Sequence, residues 1–130
     1  NTWASTPEGE KQQADEVRRV YTMLFSHPQV EAITWWDFSD AGAWQSAPAG
    51  LVRKDMTPKP AYDVLKSLVK DKWRTKTTGT TDASGKLAFR GFYGDYSATV
   101  TLPGSETPVK AEFRVSKDTP NKIELKVAEN

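Results

Sequence analysis

The apolar residues of this chain change their spacing at Trp73: before it two stretches, 14–25 and 61–69, repeat every three or four positions, and after it the apolar residues recur every second position. A helical period does not sit still as a strand. The switch therefore divides the chain into a segment of helix, strand, long loop and helix, residues 1–72, and an all-β module, residues 73–130. In the first segment Ala14, Val17, Val20, Tyr21, Leu24 and Phe25 form one stripe, and Lys11, Asp15, Arg18, Arg19 and Thr22 form the solvated face opposite. Thr6 before Pro7 predicts the start of this helix, with Ser5 and Glu8 as a competing capping box, and His27-Pro28 marks its end. Val30 to Trp36, rich in β-branched and aromatic residues, predicts a buried strand. From Lys59 a second helical face runs through Ala61, Tyr62, Leu65, Leu68 and Val69 to about Lys72, with Pro60 tolerated in the first turn.

Between the strand and the second helix, Asp37 to Pro58 holds Gly42, Pro48, Gly50 and Pro58 without sustained periodicity. Loops of that length are uncommon in compact domains unless they are functional. After Trp73, turn signals at Asp82-Ala83-Ser84-Gly85, Pro103-Gly104 and Asp118-Thr119-Pro120-Asn121 separate alternating segments at 86–91, 96–102, 109–115 and 123–127. With a short strand near Arg74 to Thr78 they predict four or five antiparallel strands in a small β-sandwich-like module. The fold class expected is thus α/β plus all-β.

Composition narrows function mainly by exclusion. Lys and Arg number 18 against 17 for Asp and Glu, without a basic block, so nucleic acid is not an expected partner. No apolar run approaches the ~20 residues of a membrane span, and no membrane partner is expected. The opening Asn1-Thr2-Trp3-Ala4 has neither a basic leader nor an apolar segment, the pattern of a soluble, mature or truncated chain. Cysteine is absent, which removes disulfides, thiol catalysis and cysteine-ligated zinc from these 130 residues. One histidine and scattered carboxylates give no metal-ligand spacing, and no motif implies a cofactor. Glu8 and Glu10 read as favourable charge at a helix N-terminus, His27 as a helix stop, and Arg53-Lys54-Asp55 as a solvated loop.

Of five tryptophans, Trp35, Trp36 and Trp44 fall within ten residues. Such a cluster serves either a core or a sugar cleft, because pyranose C–H faces stack on indole. In the β module Phe92, Tyr93 and Tyr96 have the same two readings, packing or sugar platform.

The ordered motifs Ala32-Ile33-Thr34-Trp35-Trp36-Asp37-Phe38-Ser39-Asp40, Gly42-Ala43-Trp44, Ala49-Gly50-Leu51 and Lys59-Pro60-Ala61-Tyr62 resemble the end of the catalytic domain of glycoside hydrolase family 10, mainly endo-β-1,4-xylanases. Gln13-Gln-Ala-Asp and Phe25-Ser-His-Pro-Gln-Val add to the resemblance, which covers roughly Thr6 to Leu68. It implies that residues 1–72 are the seventh helix, eighth strand and eighth helix of a (β/α)8 barrel, with the loop after the strand at the catalytic mouth. A complete barrel of roughly 250 residues does not fit in this chain.

Trp36 and Trp44 match the family's cleft tryptophans, so the resemblance implies that they stack on xylose units. Trp35 points the opposite way along a strand and is expected to pack beneath the helices. Asp37 stands where glycine is frequent in the family; a loop-organising hydrogen bond is the expected role, with contact to a sugar hydroxyl as the alternative. The two catalytic carboxyl groups of the family lie on the fourth and seventh strands, and none of Glu8, Glu10, Asp37 or Asp40 occupies either motif.

The expected protein is therefore the C-terminal fragment of a secreted xylanase, extracellular or periplasmic. It supplies cleft tryptophans without the catalytic pair, binds xylan or xylo-oligosaccharide, and is completed by a companion chain that carries the N-terminal barrel strands. The alternative is a non-catalytic carbohydrate- or protein-binding module acting through the β domain.

Overall fold

The computed structural model describes residues 3–105, 107–117 and 120–125. The chain forms two compact units, the first ending at Arg74 and the second starting at Thr75.

In the first unit, helix α1 spans Pro7–Ser26. Thr6 is the cap that forms, its hydroxyl accepting the Gly9 N–H at 3.1 Å, while Ser5 instead donates to Glu10 Oε1 at 2.9 Å. His27 closes the helix with its N–H on the Leu24 carbonyl, and its exposed ring accepts the Gln29 N–H. Helix α2 spans Pro60–Ser67 and continues through a π turn, Leu68–Lys72, closed by the Trp73 N–H on the Leu68 carbonyl at 2.9 Å. At ~100° per residue an α-helix would carry Trp73 about 140° round from Leu68. The wider turn instead brings it nearly over Leu68, on the core side, where its ring stacks on Phe25 at 4.0 Å between centroids. Val69, expected in the same apolar stripe, is 45% exposed.

The two helices pack on each other, so their stripes, which taken singly would need outside partners, largely cover one another. Ala14, Val17 and Tyr21 from α1 meet Ala61 from α2 and Leu68 from the π turn, and Leu51 from the intervening loop completes the buried cluster. Ile33 and Trp35 pack against it from the side.

The expected strand from Val30 to Trp36 does not form a ladder. Among the described residues no segment pairs with it, and a strand exists only through its neighbours. Its alternation survives: Ile33 and Trp35 are half-buried, whereas Thr34 and Trp36 are exposed.

The second unit departs further from expectation. One two-stranded antiparallel sheet, β1 (Gly94–Val100) and β2 (Val109–Val115), stands where four or five strands of a β-sandwich-like module were expected. Residues 74–78, 86–91 and 123–125 are not strands, and positions 126 and 127 of the last expected strand lie outside the described residues. The segment 86–91 offers only Leu87 and Phe89 as large apolar residues, both exposed by more than 40%, too little burial to fix another strand.

The ribbon itself follows its sequence. Tyr96 faces Phe113 in register and stacks on it at 5.4 Å, with Ala98 opposite Ala111 and Val100 opposite Val109 on the same face. The other face pairs Asp95 with Arg114 and Thr99 with Lys110. The Pro103-Gly104 turn closes through the Ser105 N–H on the Leu102 carbonyl, with Gly104 at φ 79°, a conformation that favours glycine. The other described turn is organised by Asp82 Oδ1, which accepts the Ser84 and Lys86 N–H groups, and these bonds hold its carboxyl below the usual aspartate range.

Candidate functional site

The loop from Asp37 to Pro58 is folded on itself rather than open. Its inner layer is made by backbone: Leu51 and Val52 both donate to the Phe38 carbonyl, Asp40 donates to Val52, and Lys59 donates to Leu51, all at 2.9–3.1 Å. Asp40 sits inside this layer. One of its oxygens, Oδ1, takes the Gly50 N–H at 2.8 Å and the Lys59 ammonium at 2.9 Å, and Lys59 also donates to the Pro48 carbonyl at 2.9 Å. Lys59 has no solvent exposure. Gly50 is required by this closure, since a Cβ there would lie 2.6 Å from the Asp40 nitrogen.

A second charged contact ties the loop to α1. Arg53 Nε donates to Glu10 Oε1 at 2.9 Å, a second guanidinium nitrogen reaches Oε2, and a third binds the Pro58 carbonyl. Hydrogen bonding from Arg53 holds the Glu10 carboxyl below its usual range, against desolvation, with Ser5 adding to the effect. Glu10 is therefore a buried ion-pair partner, not only a favourable charge on the first turn, and Arg53 is half-buried, not a solvated loop residue. Sequence reading missed both pairs, and it missed the burial of Lys59. Neither residue spacing nor local propensity signals a contact across 43 or 19 positions.

Aromatic rings stand at the start of the loop and within it. Trp36 is 78% exposed and Trp44 is 71% exposed. Trp35 is half-buried, with its ring 6.2 Å from that of Tyr21. Asp37 has a left-handed φ of 66°, and its Oδ2 accepts the Trp44 N–H at 3.2 Å. The loop-organising bond expected of Asp37 is thus present, in a conformation that suits glycine and that aspartate tolerates. All non-glycine residues with positive φ among the described residues, Asp37, Gln45, Ser46 and Met56, lie in this loop.

The carboxylates here are already engaged. Asp40 is buried against Lys59, and Asp37 is bonded to backbone, so neither resembles a free acid/base pair. Among the described residues no group of three or more His, Asp or Glu side chains is placed to hold a metal ion, and no helix is long and apolar enough to cross a membrane.

Comparison with known proteins identifies this helical pair and its aromatic loop. Residues 2–68 match the glycosyl hydrolase family 10 pattern. The chain belongs to that family, and this segment is part of its (β/α)8 barrel. The chain is 41% identical over 99 residues to the anti-sigma-I factor RsgI6 of Acetivibrio thermocellus, a match covering 76% of this chain and 13% of that protein. It is 28% identical over 72 residues to endo-1,4-beta-xylanase B of Thermotoga neapolitana, covering 51% of this chain and 21% of the enzyme. The chain therefore spans a minor part of either relative. A 99-residue match on 130 residues starts no later than position 32 and ends no earlier than 99, so the similarity to RsgI6 takes in the whole aromatic loop and part of the β unit.

Proposed function

We propose that this chain forms the sugar-binding edge of a secreted family 10 endo-β-1,4-xylanase, in which Trp36 and Trp44 stack on the xylan backbone. The observation that carries this reading is their exposure, above 70% for both, on a loop whose base is fixed by a buried ion pair. Large rings held in water by an ordered scaffold are surfaces awaiting a partner, and indole is complementary to a pyranose face. The retaining reaction needs two carboxyl groups about 5–5.5 Å apart. Because Asp37 and Asp40 are committed to backbone and to Lys59, that pair comes from companion barrel strands. Buried Trp35 Nε1 and Gln13 Oε1 lack a hydrogen-bond partner among the described residues, which supports such a companion.

The 130 residues alone are expected to release no reducing sugar from xylan, while the same residues joined to the missing barrel strands do so. Hydrolysis by the isolated chain that persists in an Asp37→Asn, Asp40→Asn variant would refute the assignment.

A second reading is favoured by the similarity to an anti-sigma factor, which is higher and longer than that to the xylanase. In it the same aromatic edge binds polysaccharide without cleaving it. Xylan binding without any hydrolysis by the full-length protein would select this reading.

A further inference from the structure

Two tryptophans can grip one polysaccharide only if their spacing is fixed, and the loop between them supplies little rigidity of its own. A Cβ on Gly42 would meet nothing within 4 Å, and Ala43, which precedes the short turn Trp44–Ser46, offers no side-chain cap. That turn is left-handed at Gln45, φ 54°, and at Ser46, φ 55°. The group that reaches it from outside is the Asp37 carboxylate, seven residues away in sequence and directly next to Trp36. On the other side of Asp37, the Phe38 carbonyl is fixed by the Leu51 and Val52 N–H groups. Asp37 thus bridges a rigid base and the backbone of Trp44.

We propose that Asp37 is a positioning residue for the sugar platform: its carboxylate holds the Trp44 N–H so that Trp44 is set relative to Trp36 before xylan arrives. The inference rests on the reading of Trp36 and Trp44 as stacking residues. It assigns Asp37 no contact with sugar, and its effect is transmitted entirely through Trp44. Pre-setting the platform lowers the ordering cost of binding, which appears as affinity rather than as stability.

The test measures xylohexaose affinity, as the KM of its hydrolysis if the full-length protein cleaves it and by calorimetry if it does not, together with thermal midpoint, in the full-length protein and in Asp37→Gly, Asp37→Asn, Trp44→Ala and the double variant Asp37→Gly/Trp44→Ala. Glycine accepts the left-handed φ and removes only the acceptor, so Asp37→Gly keeps the fold and is expected to weaken binding about 3- to 10-fold, the worth of one hydrogen bond. Asparagine keeps both the acceptor and the tolerance for that φ, and is expected to stay within about 2-fold of the parent. The double variant should bind no more weakly than Trp44→Ala alone. Unchanged affinity in Asp37→Gly overturns the proposal, as does additivity in the double variant, which would mean that Asp37 touches the sugar itself. If Trp44→Ala binds as well as the parent, the stacking reading fails and this inference with it. If Trp44→Ala weakens binding while Asp37→Gly does not, only the positioning role is lost.

Discussion

The ammonium of Lys59 lies 2.7 Å from Oδ2 of Asp40, at a site where the lysine is wholly buried and the aspartate is 7% exposed. This pair closes the loop, because each partner also holds backbone from the segment between them: Asp40 the Gly50 N–H, Lys59 the Pro48 carbonyl. Removing one partner strands the other charge, at a cost of about 3–5 kcal/mol in a fold whose net stability is ~5–15 kcal/mol. Lys59→Met and Asp40→Leu are each expected to lower the denaturation midpoint sharply. The double variant should lose less than the sum of the two, though not recover fully, since the Gly50 N–H and Pro48 carbonyl remain without those partners. A double variant as unstable as the sum would mean that the two charges do not interact.

Gly50→Ala tests the same closure by shape. Its Cβ would meet the Asp40 nitrogen at 2.6 Å and the Ser39 carbonyl carbon at 2.7 Å, both backbone atoms that cannot swing aside. A loss of about 1–3 kcal/mol in urea denaturation is expected from such overpacking. Gly42→Ala, with open space around it, is the control and should be close to neutral.

The Glu10–Arg53 pair predicts an acid limb to stability. Arg53 holds the Glu10 pKa below its ordinary value of 4.5 in the folded protein, so the folded state favours the ionised form. The stabilisation is complete above the ordinary value and is lost as pH falls through the depressed folded pKa. Thermal midpoints of the parent and of Glu10→Gln should therefore differ at neutral pH and converge below pH 4.5. A gap that stays constant across that range would exclude the pair as its source.

The three clustered tryptophans should separate by phenotype. Trp35→Ala removes a half-buried ring packed beside Tyr21 and is expected to cost about 2–3 kcal/mol, below the ~3–5 kcal/mol of a fully buried tryptophan. Trp36→Ala and Trp44→Ala remove exposed rings and should leave the midpoint nearly unchanged while weakening xylohexaose binding. Equal destabilisation in all three would place the whole cluster in the core.

How far the sequence reaches is visible in particular residues. Thr6, Pro7 and His27 gave the ends of α1, and the period of Ala14, Val17 and Tyr21 gave its buried face, because caps and amphipathic spacing act within one helix. The alternation at 109–115 and the Pro103-Gly104 turn were legible for the same reason. Just before the loop, the opposite orientation of Trp35 and Trp36 came from alternation alone, even without a ladder to hold it.

Other features depended on residues far apart in the chain. The alternation at 86–91 is real, but a strand needs a paired and covered neighbour, and pattern does not state whether enough apolar area exists to provide one. The π turn at Leu68–Lys72 answers to Phe25, on another helix, against which Trp73 stacks. The burial of Lys59, the pairing of Glu10 with Arg53 and the bond from Asp37 to Trp44 each join positions that local propensity treats as independent. The sequence by itself determined the buried faces of the helices, the turns at Asp82–Gly85 and Pro103–Gly104, and the opposite facing of Trp35 and Trp36, all set by periods and caps a few residues long, while the expected turn at 118–121 lies partly outside the described residues. Only the tertiary structure decided how the loop closes, since a buried charge is tolerated solely where the fold brings its counter-charge and hydrogen-bond partners to it.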